Sequence, residues 1–390
     1  MSESRFSLKG IRLPWRRSRP AVDESQEEEA FFRASQWQLV WWKFKRHRLA
    51  QIAMVVLGVL YFLAIFADFV APHPPLKRYK DLVAHPPSDI HIRGEDGNYH
   101  WPFIYATVRE RDPVTFRPFY AEDTSQRYPI KLFVRGDPYE MFGLIRSDIH
   151  LFGTGNNEVA PLFVLGSDSI GRDVLSRIFF GGRISLSVGL IGVFLAFFLG
   201  LILGGISGYY GGTPDDIIQR IIEVLFALPP IPLWMALAAA LPQDWPQLRI
   251  YFYTTIILSI LGWTGLARVV RGRLLSMREE DFVMAARLDG EGEFRIIRSY
   301  MLPGFMSYII VSLTLSIPGM IIGETSLSFL GIGLKSPTVS WGVMLNEAQD
   351  IMVVAQLPWV LFPVLFVITA VLMFNFLGDG LRDAADPYTT

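Results

Sequence analysis

The chain alternates long apolar runs with polar segments, and the apolar runs have the length of membrane-spanning helices. A helix needs about 20 predominantly apolar residues to cross a bilayer. We predict a transmembrane helix for each of six runs: Leu49 to Val70, Ile184 to Ile206, Ile217 to Leu241, Ile250 to Ala267, Leu302 to Ile322 and Trp359 to Leu377. The third run contains Pro229, Pro230 and Pro232, which a membrane helix tolerates where neighbouring helices satisfy the freed carbonyl groups. The pattern therefore predicts an all-α polytopic membrane protein whose helices form a bundle.

Basic residues are concentrated in two of the segments between these runs. The segment after the fifth run contains Lys335 and no arginine. The two basic groups are Lys43, Lys45, Arg46 and Arg48 before the first run, and Arg268, Arg271, Arg273, Arg278, Arg287, Arg295 and Arg298 between the fourth and fifth runs. Cytoplasmic segments of membrane proteins carry an excess of Lys and Arg. We therefore predict that both termini and the segment between the fourth and fifth runs are cytoplasmic.

These boundaries divide the chain into five segments. They are a cytoplasmic tail and amphipathic helix (1–48), the first transmembrane helix (49–70), an outer insertion with a pre-helix motif (71–183), a transmembrane core with a cytoplasmic loop at 271–301 (184–378), and a cytoplasmic tail (379–390). Trp37, Val40, Trp41 and Phe44 recur at helical spacing and predict the amphipathic helix, although they are also compatible with an early start of the first span. We expect the first thirty residues, which are polar and charged, to be disordered.

The outer insertion has the signals of a small, mostly β structure. Ile130 to Val134 is a short extended run, and Asp112-Pro113 and Gly136-Asp137-Pro138 are turn signals. The insertion also has mixed charge and many aromatic residues, namely Tyr99, Trp101, Phe103, Tyr105, Phe116, Phe119 and Tyr120. Aromatic residues are typical of protein contact surfaces.

Composition supports a membrane protein and narrows the chemistry. Hydrophobic residues make up 51% of the chain and charged residues 19%, whereas a soluble domain carries about 25% charged residues. The net charge of −1 does not favour nucleic acid as a partner. The absence of cysteine excludes disulfides, thiolate metal sites and thiol catalysis.

No catalytic or nucleotide-binding motif is present in the sequence. Of the six histidines, His85 and His91 lie near Asp89 but lack zinc-type spacing, and we expect solvated surface residues rather than metal ligands. We therefore expect that the chain is not an enzyme and holds no metal or cofactor.

The cytoplasmic loop has a distinctive distribution of small residues. Ala285, Ala286 and Gly290 are small, and on one helix Ala286 and Gly290 would share a face that another surface approaches closely. Pro303 lies where a new helix would begin. The loop is predicted to form a helix, a turn and a second helix, with a small-residue docking face and a sharp re-entry into the membrane.

This loop resembles the coupling loop of importer-type ABC permeases, written E-A-A, three residues, Gly, nine residues, I-x-L-P. Ala285, Ala286, Gly290, Leu302 and Pro303 match at that spacing, and the two departures are Met284 for the glutamate and Tyr300 for the isoleucine. Three further stretches resemble the dipeptide/oligopeptide (Opp/Dpp) branch of that family. They are Leu165 to Arg177 with Gly182 to Leu186, Glu324 to Gly333 with Trp341-Gly342, and Phe376 to Pro387. The chain is similar to the second permease of that branch, and its insertion resembles that of Yej-type permeases.

The resemblance implies the fold of type I ABC importer permeases and a place in a bacterial inner (plasma) membrane. It implies translocation of peptides or peptide-like solutes, with ATP bound by two partner ATP-binding subunits or domains that dock on the coupling loop. A second permease subunit and a periplasmic solute-binding protein would complete the importer. Oligosaccharides and nickel are alternative substrates of the branch. A different class, an ion-coupled secondary transporter, would need paired ionisable groups at the membrane midplane.

Three further assignments stay open at this stage. Asp216, Arg220 and Glu223 form either an interfacial ion-pair ladder or part of a pathway. Glu324, at the outer end of the fifth span, is either a pathway residue or a helix-end residue in water. The outer insertion either contributes to recognition of the binding protein, which we favour, or forms a lid on its own pore.

Overall fold

The computed structural model describes residues 36–94, 97–111, 113, 118–242 and 244–385, most of them in helices. Predictions that fall on residues 1–35, on Asp112, Thr115 and Phe116, or on residues 386–390 lie outside this part of the chain. The main helices are α1 (Gln36–Phe44), α2 (Arg48–Ile65), α3 (Val174–Tyr210), α4 (Gly212–Ala227), α5 (Pro230–Ala239), α6 (Gln247–Met277), α7 (Asp281–Leu288), α8 (Glu293–Phe329), α9 (Trp341–Glu347) and α10 (Pro358–Ala385). Two shorter helices are Ala67–Val70 and Ile351–Gln356.

Within the described residues, α2, α3, α6, α8 and α10 are each long and apolar enough to cross a membrane. The pair α4 and α5 meets the same criterion together but is bent by 92° between Ala227 and Pro230. This bend lies where Pro229 interrupts the helix, because proline lacks the N–H group that an internal turn requires.

Packing of α3 against α6 decides that the bent pair crosses the membrane. A methyl group added at Gly204 would lie 2.6 Å from the Ala267 carbonyl oxygen, and one at Gly208 would lie 2.7 Å from the carbonyl oxygen of Arg271. The residue numbers rise together along both helices, so α3 and α6 run in the same direction. The chain must therefore return across the bundle between them, and α4 and α5 form a bent third span.

The other spans alternate in direction. Gly182, near the start of α3, lies against Ala64 at the end of α2, and Gly380, near the end of α10, lies against Ala50 at the start of α2. Consequently α1, the end of α10 and the segment between α6 and α8 all lie at one end of the bundle. We call this the inner end and the opposite one the outer end.

Several helix boundaries differ from the predicted ones. Helix α3 begins at Val174 rather than Ile184, because the Asp173 carboxylate caps it by accepting a hydrogen bond of 2.8 Å from the Ser176 N–H group. Helix α10 continues past Leu377 to Ala385. A short amphipathic helix is present at α1, where Phe44 is buried in a cluster with Ala50 and Ala384.

The outer insertion has the predicted β structure, arranged as two separate antiparallel sheets. Strands β1 (His91–Arg93), β2 (Tyr99–Arg111) and β3 (Pro118–Pro129) form one sheet in the order β1-β2-β3. Strands β4 (Lys131–Met141) and β5 (Ile145–Gly153) form a hairpin.

The aromatic residues of the insertion do not share one surface. Tyr99 and Trp101 are exposed on β2, whereas Phe103 and Tyr105 are buried. The choice between a docking surface and a lid for this insertion stays a prediction.

The prediction that the histidines are solvated surface residues is wrong for three of them. His73, His85 and His150 are buried where the insertion packs on the outer ends of the helices. The rings of His73 and His150 hydrogen-bond to the carbonyl oxygens of Leu162 (3.2 Å) and Ala71 (2.7 Å), which explains why imidazole is retained there. Burial lowers the pKa of His73 to about 4. Within the described residues, no three His, Asp or Glu side chains are grouped to hold a metal.

Candidate functional site

The segment between α6 and α8 forms the predicted helix and turn at the inner end of the bundle. Helix α7 ends at Leu288, and Gly290 follows with φ of +77°. The Gly290 N–H donates to the Arg287 carbonyl at 3.1 Å, and the Glu291 N–H donates to the Ala286 carbonyl at 3.1 Å. This helix ending requires a left-handed residue, which glycine adopts without strain.

Ala286 does not lie on the predicted docking face. It is buried together with Val283 in a cluster that includes Leu274 of α6 and Met301 of α8. Ala285 and Gly290 are exposed instead. The helical-face argument fails because α7 ends before Gly290, so the two residues are not on consecutive turns of one helix. Ala286 therefore attaches the loop to its own bundle.

The solvent-exposed surface of the loop carries large apolar residues among charged ones, which the small-residue argument missed. Leu288 is 87% exposed and Phe294 is 75% exposed, and neither belongs to the core of the chain. We call the exposed apolar residues of this loop the docking face: Phe282, Met284, Ala285, Leu288 and Phe294. Large apolar side chains exposed close together in one short segment are typical of an interaction surface. The signal was available in the sequence, because Phe282, Ala285 and Leu288 recur at helical spacing.

The chain re-enters the membrane as a continuous helix rather than sharply at Pro303. Helix α8 begins at Glu293 and contains a π-helical segment, Ile296–Met301, followed by a 3₁₀ segment, Leu302–Phe305. Pro303 lies in the first turn of the 3₁₀ segment, and this change of winding accommodates its missing N–H group. Leu302 is half-buried and Pro303 is exposed. These two residues therefore lie within α8 and are not part of the docking face.

Polar contacts fix the loop to the inner ends of α3 and α4. The Tyr210 hydroxyl donates to a Glu293 carboxylate oxygen at 2.6 Å. Arg271 of α6 makes two hydrogen bonds of 2.6 Å to the two carboxylate oxygens of Asp215 on α4. Paired contacts of this kind hold the guanidinium and the carboxylate in one plane. These contacts therefore hold the loop against the helix ends that it joins.

The predicted Asp216, Arg220 and Glu223 ladder is only partly formed. Arg220 and Glu223 pair at 3.2 Å with both side chains largely exposed. Asp215, one residue before the predicted position, makes the buried contact with Arg271.

Glu324 is fully buried near the outer end of α8, so its placement as a helix-end residue in water is wrong. The hydroxyl groups of Ser185 and Ser328 donate to its two carboxylate oxygens at 3.0 and 2.9 Å. The Trp341 N–H donates in turn to Ser185 Oγ at 3.1 Å. Glu324 therefore joins α3, α8 and α9.

A buried ion cluster at the outer end was not predicted. Arg172 and Arg177 each contact a carboxylate oxygen of Asp168 and one of Glu347, at 2.6 to 2.7 Å. Both arginine side chains are nearly fully buried. The cluster ties the segment before α3 to the end of α9. Sequence spacing could not reveal it, because Glu347 lies far along the chain from its partners.

A protein family matches the part of the chain that forms the helical core. The family described as "Binding-protein-dependent transport system inner membrane component" matches residues 169–390, more than half of the chain. The chain belongs to this family. A second description, "N-terminal TM domain of oligopeptide transport permease C", matches residues 35–87 of the permease, which include α2. Residues 88–168, which contain both β-sheets, lie between the two matches.

Curated relatives of the permease share its core at about 40% identity. The dipeptide transport system permease protein DppC of Bacillus subtilis (strain 168) is 41% identical over 57% of this chain and 68% of its own length. The oligopeptide transport system permease protein OppC of Haemophilus influenzae is 40% identical over 57% and 69%. The glutathione transport system permease protein GsiD of Pectobacterium atrosepticum is 42% identical over 57% and 72%. The predicted membership of the dipeptide/oligopeptide permeases is confirmed.

The family also confirms the predicted fold class, a polytopic helical permease, and its role in transport rather than catalysis. An inward-facing MetNI methionine ABC transporter covers 54% of the permease and 97% of its own chain, at 16% identity and a TM-score of 0.43, which is too low to support further comparison. The family match and the relatives support an importer permease over the ion-coupled alternative.

Proposed function

We propose that this permease forms half of a peptide-importing pore and docks a separate ATPase on its docking face. The relatives named for dipeptides, oligopeptides and glutathione support peptides as the substrate class, ahead of oligosaccharides or nickel. A second, similar permease subunit would complete the pore, and a periplasmic binding protein would deliver the peptide. ATP would be bound by the ATPase partners and not by this chain.

The observation that carries this proposal is the exposed apolar docking face on a loop that is firmly attached to the bundle. Leu288 and Phe294 project from it, while Ala286 and Val283 pack beneath it. A partner that moved this face would move α8 as well, because the loop continues into α8 without a break. ATP-driven closure of the partner would thereby reach the membrane as a rigid-body displacement of packed helices.

The orientation belongs to the same proposal. The inner end carries the basic loop and both ends of the described chain, and the positive-inside rule assigns this end to the cytoplasm. The ATPase would therefore bind in the cytoplasm, where ATP is available, and the insertion would lie on the opposite side of the membrane.

Charge substitution on the docking face tests the proposal. Leu288→Asp and Phe294→Asp should weaken ATPase binding, because each places a carboxylate in a contact that must be dry. Truncated interface anchors cost about 2 kcal/mol or more, which is roughly 30-fold in affinity. Copurification of the ATPase with the tagged permease measures the loss, and peptide uptake should fall with it. A bulky substitution at the loop glycine, Gly290→Trp, would be a poorer test. Residue 290 has a left-handed φ that tryptophan rarely adopts, so the variant would change the backbone of the loop as well as its surface.

Tyr99→Asp is the matched control for these variants. Tyr99 is 81% exposed, similar to Leu288, but it lies on β2 at the outer end of the molecule. Copurification should be unchanged in Tyr99→Asp. Undiminished ATPase binding in both loop variants would show that the docking face has another use.

A further inference from the structure

The turn of the β4–β5 hairpin is built from large apolar residues. Met141 pairs with Ile145, and the loop between them is Phe142, Gly143 and Leu144. Leu144 is 86% exposed and Phe142 is 59% exposed. Turns normally use Gly, Asn, Asp, Pro or Ser. Phe142 also has a φ of +54°, which large side chains seldom adopt, so apolar character is retained here despite the turn geometry.

This apolar tip lies at the outer boundary of the first membrane span. The ring of Phe142 is 6.3 Å from that of Phe66, which directly follows α2. Phe133 on β4 is similarly close to Phe69, with ring centroids 6.1 Å apart. The hairpin therefore folds back toward the membrane instead of extending away from it, and its exposed side chains continue the lipid-facing surface of α2.

Charged residues next to the tip match the headgroup layer of a bilayer. Glu140 and Arg146, on the rungs beside the turn, pair at 2.6 Å, and the Arg146 side chain is 87% exposed. At the end of the span, Arg183 pairs with Asp68 at 2.6 Å. An apolar end followed by exposed arginine is the pattern of segments that lie in the membrane interface.

A groove beneath the tip has an apolar wall on its membrane side. A cavity of about 550 Å³ separates the hairpin from α2 and α3. Its membrane side is lined by Tyr61, Ile65 and Leu190, and its outer end by Asp68, Glu140 and Arg183. An acyl chain fits the first set of side chains. The charged groups of the second set are already paired, Arg183 with Asp68 and Glu140 with Arg146.

We propose that the β4–β5 hairpin is a membrane-interface element of this permease. Its apolar tip enters the outer leaflet, and the apolar part of the groove beneath it, between α2 and α3, holds a lipid acyl chain. This occupant follows from the continuity of the tip with the lipid-facing side of α2. The sheet formed by β1, β2 and β3 remains in water and available to a soluble partner.

The absence of cysteine from the chain makes the depth of the tip measurable at a single site. Leu144→Cys is labelled with an environment-sensitive nitrobenzoxadiazole dye in the full transporter, reconstituted in phosphatidylcholine and phosphatidylglycerol nanodiscs. Tyr99→Cys is the aqueous control, and Phe194→Cys, 60% exposed on α3 within the membrane, is the lipid control. Quenching is measured with dissolved iodide and with a lipid carrying a nitroxide near the top of its acyl chain.

The label at Leu144 should be quenched by the nitroxide lipid several-fold more strongly than the label at Tyr99, and by iodide several-fold less. Lipid quenching no stronger than at Tyr99 would overturn the proposal. Strong iodide quenching would then place the tip in water, and shielding from both quenchers would place it under a protein partner such as the second permease. Size-exclusion profiles of the labelled complexes confirm that each variant assembles before it is measured.

Discussion

At the level of single residues, buried charge is concentrated at the outer end of the permease. The charges of Asp168, Arg172, Arg177 and Glu347 balance one another, and Asp173 caps α3 beside them. The family resemblance identified the segment around Asp168 as a motif, but it did not explain why these charged residues are present. The reason is tertiary, because the carboxylate of Glu347 that neutralises both arginines comes from a distant helix. Breaking such a buried cluster by removing one partner leaves an uncompensated charge.

Asp173 gives this region a pH-dependent stability. Burial raises the pKa of its carboxyl from the ordinary value of 3.8 to about 7, although hydrogen bonds from Ser176 act in the opposite direction. The folded chain therefore binds this proton more tightly than the unfolded chain, and its stability should fall as the pH rises from about 4 to 7. In Asp173→Asn this fall should disappear, because asparagine caps a helix equally well without ionising. The variant should gain most in unfolding temperature, relative to the native permease, at pH 7 and above.

The measurement is the difference in unfolding temperature between the variant and the native permease in detergent. The difference matters because His73, with its pKa lowered to about 4, destabilises the folded chain as the pH falls and so acts in the opposite sense. Asp148→Asn, at a side chain that is 47% exposed, is the control and should follow the native profile. A constant difference across the pH range would mean that Asp173 does not titrate there.

At the level of elements, hydropathy predicted which segments cross the membrane but not how they pack. Each of the six predicted runs overlaps one span, since the cost of exposing polar groups to lipid fixes their length and composition. The first run was predicted too long, because α2 ends at Ile65 rather than Val70, and the third passes the end of α5 at Ala239. Their ends were less predictable. Helix α3 begins in a polar motif because Asp173 caps it, and α8 begins in the loop because a π-helical segment carries it past Pro303. The glycine ridge of α3, Gly200, Gly204 and Gly208, was present in the sequence as small residues at every fourth position and was not recognised.

The glycine ridge should be sensitive to a single methyl group. Gly204→Ala would place its Cβ 2.6 Å from a carbonyl oxygen of α6, so the two helices must separate. Overpacking of this kind costs about 1–3 kcal/mol, and the unfolding temperature in detergent should fall. Gly205→Ala is the matched control, because nothing lies within 4 Å of its added Cβ. It should be neutral or slightly stabilising through helix propensity. Equal effects of the two substitutions would contradict the close packing of α3 on α6.

At the level of the whole molecule, the direction of the helices fixes the topology. Parallel packing of α3 and α6 makes the bent pair a third span, so six spans place the docking face and both ends of the described chain on one side. Hydropathy predicted six spans. Length and composition do not by themselves establish the third one, because the bent pair α4 and α5 is also compatible with a re-entrant loop. The docking face then lies at the inner end, and the β-sheets and the ion cluster lie at the outer end.

This topology predicts the labelling of four single-cysteine variants in sealed spheroplasts. Tyr99→Cys and Ile351→Cys, at side chains that are 81% and 82% exposed, lie at the outer end and should react with a membrane-impermeant maleimide added to spheroplasts. Trp41→Cys and Leu288→Cys, at 47% and 87%, lie at the inner end. In cells that express the permease without its ATPase, which leaves the docking face uncovered, both should react only after the membrane is opened. Because the native chain has no cysteine, each signal reports one position. Reaction of both Trp41→Cys and Leu288→Cys in sealed spheroplasts would reverse the orientation and remove the ATPase from the docking face. Different sidedness for Trp41→Cys and Leu288→Cys would instead mean that α4 and α5 do not cross the membrane, and the direction assigned to α6 would then be wrong.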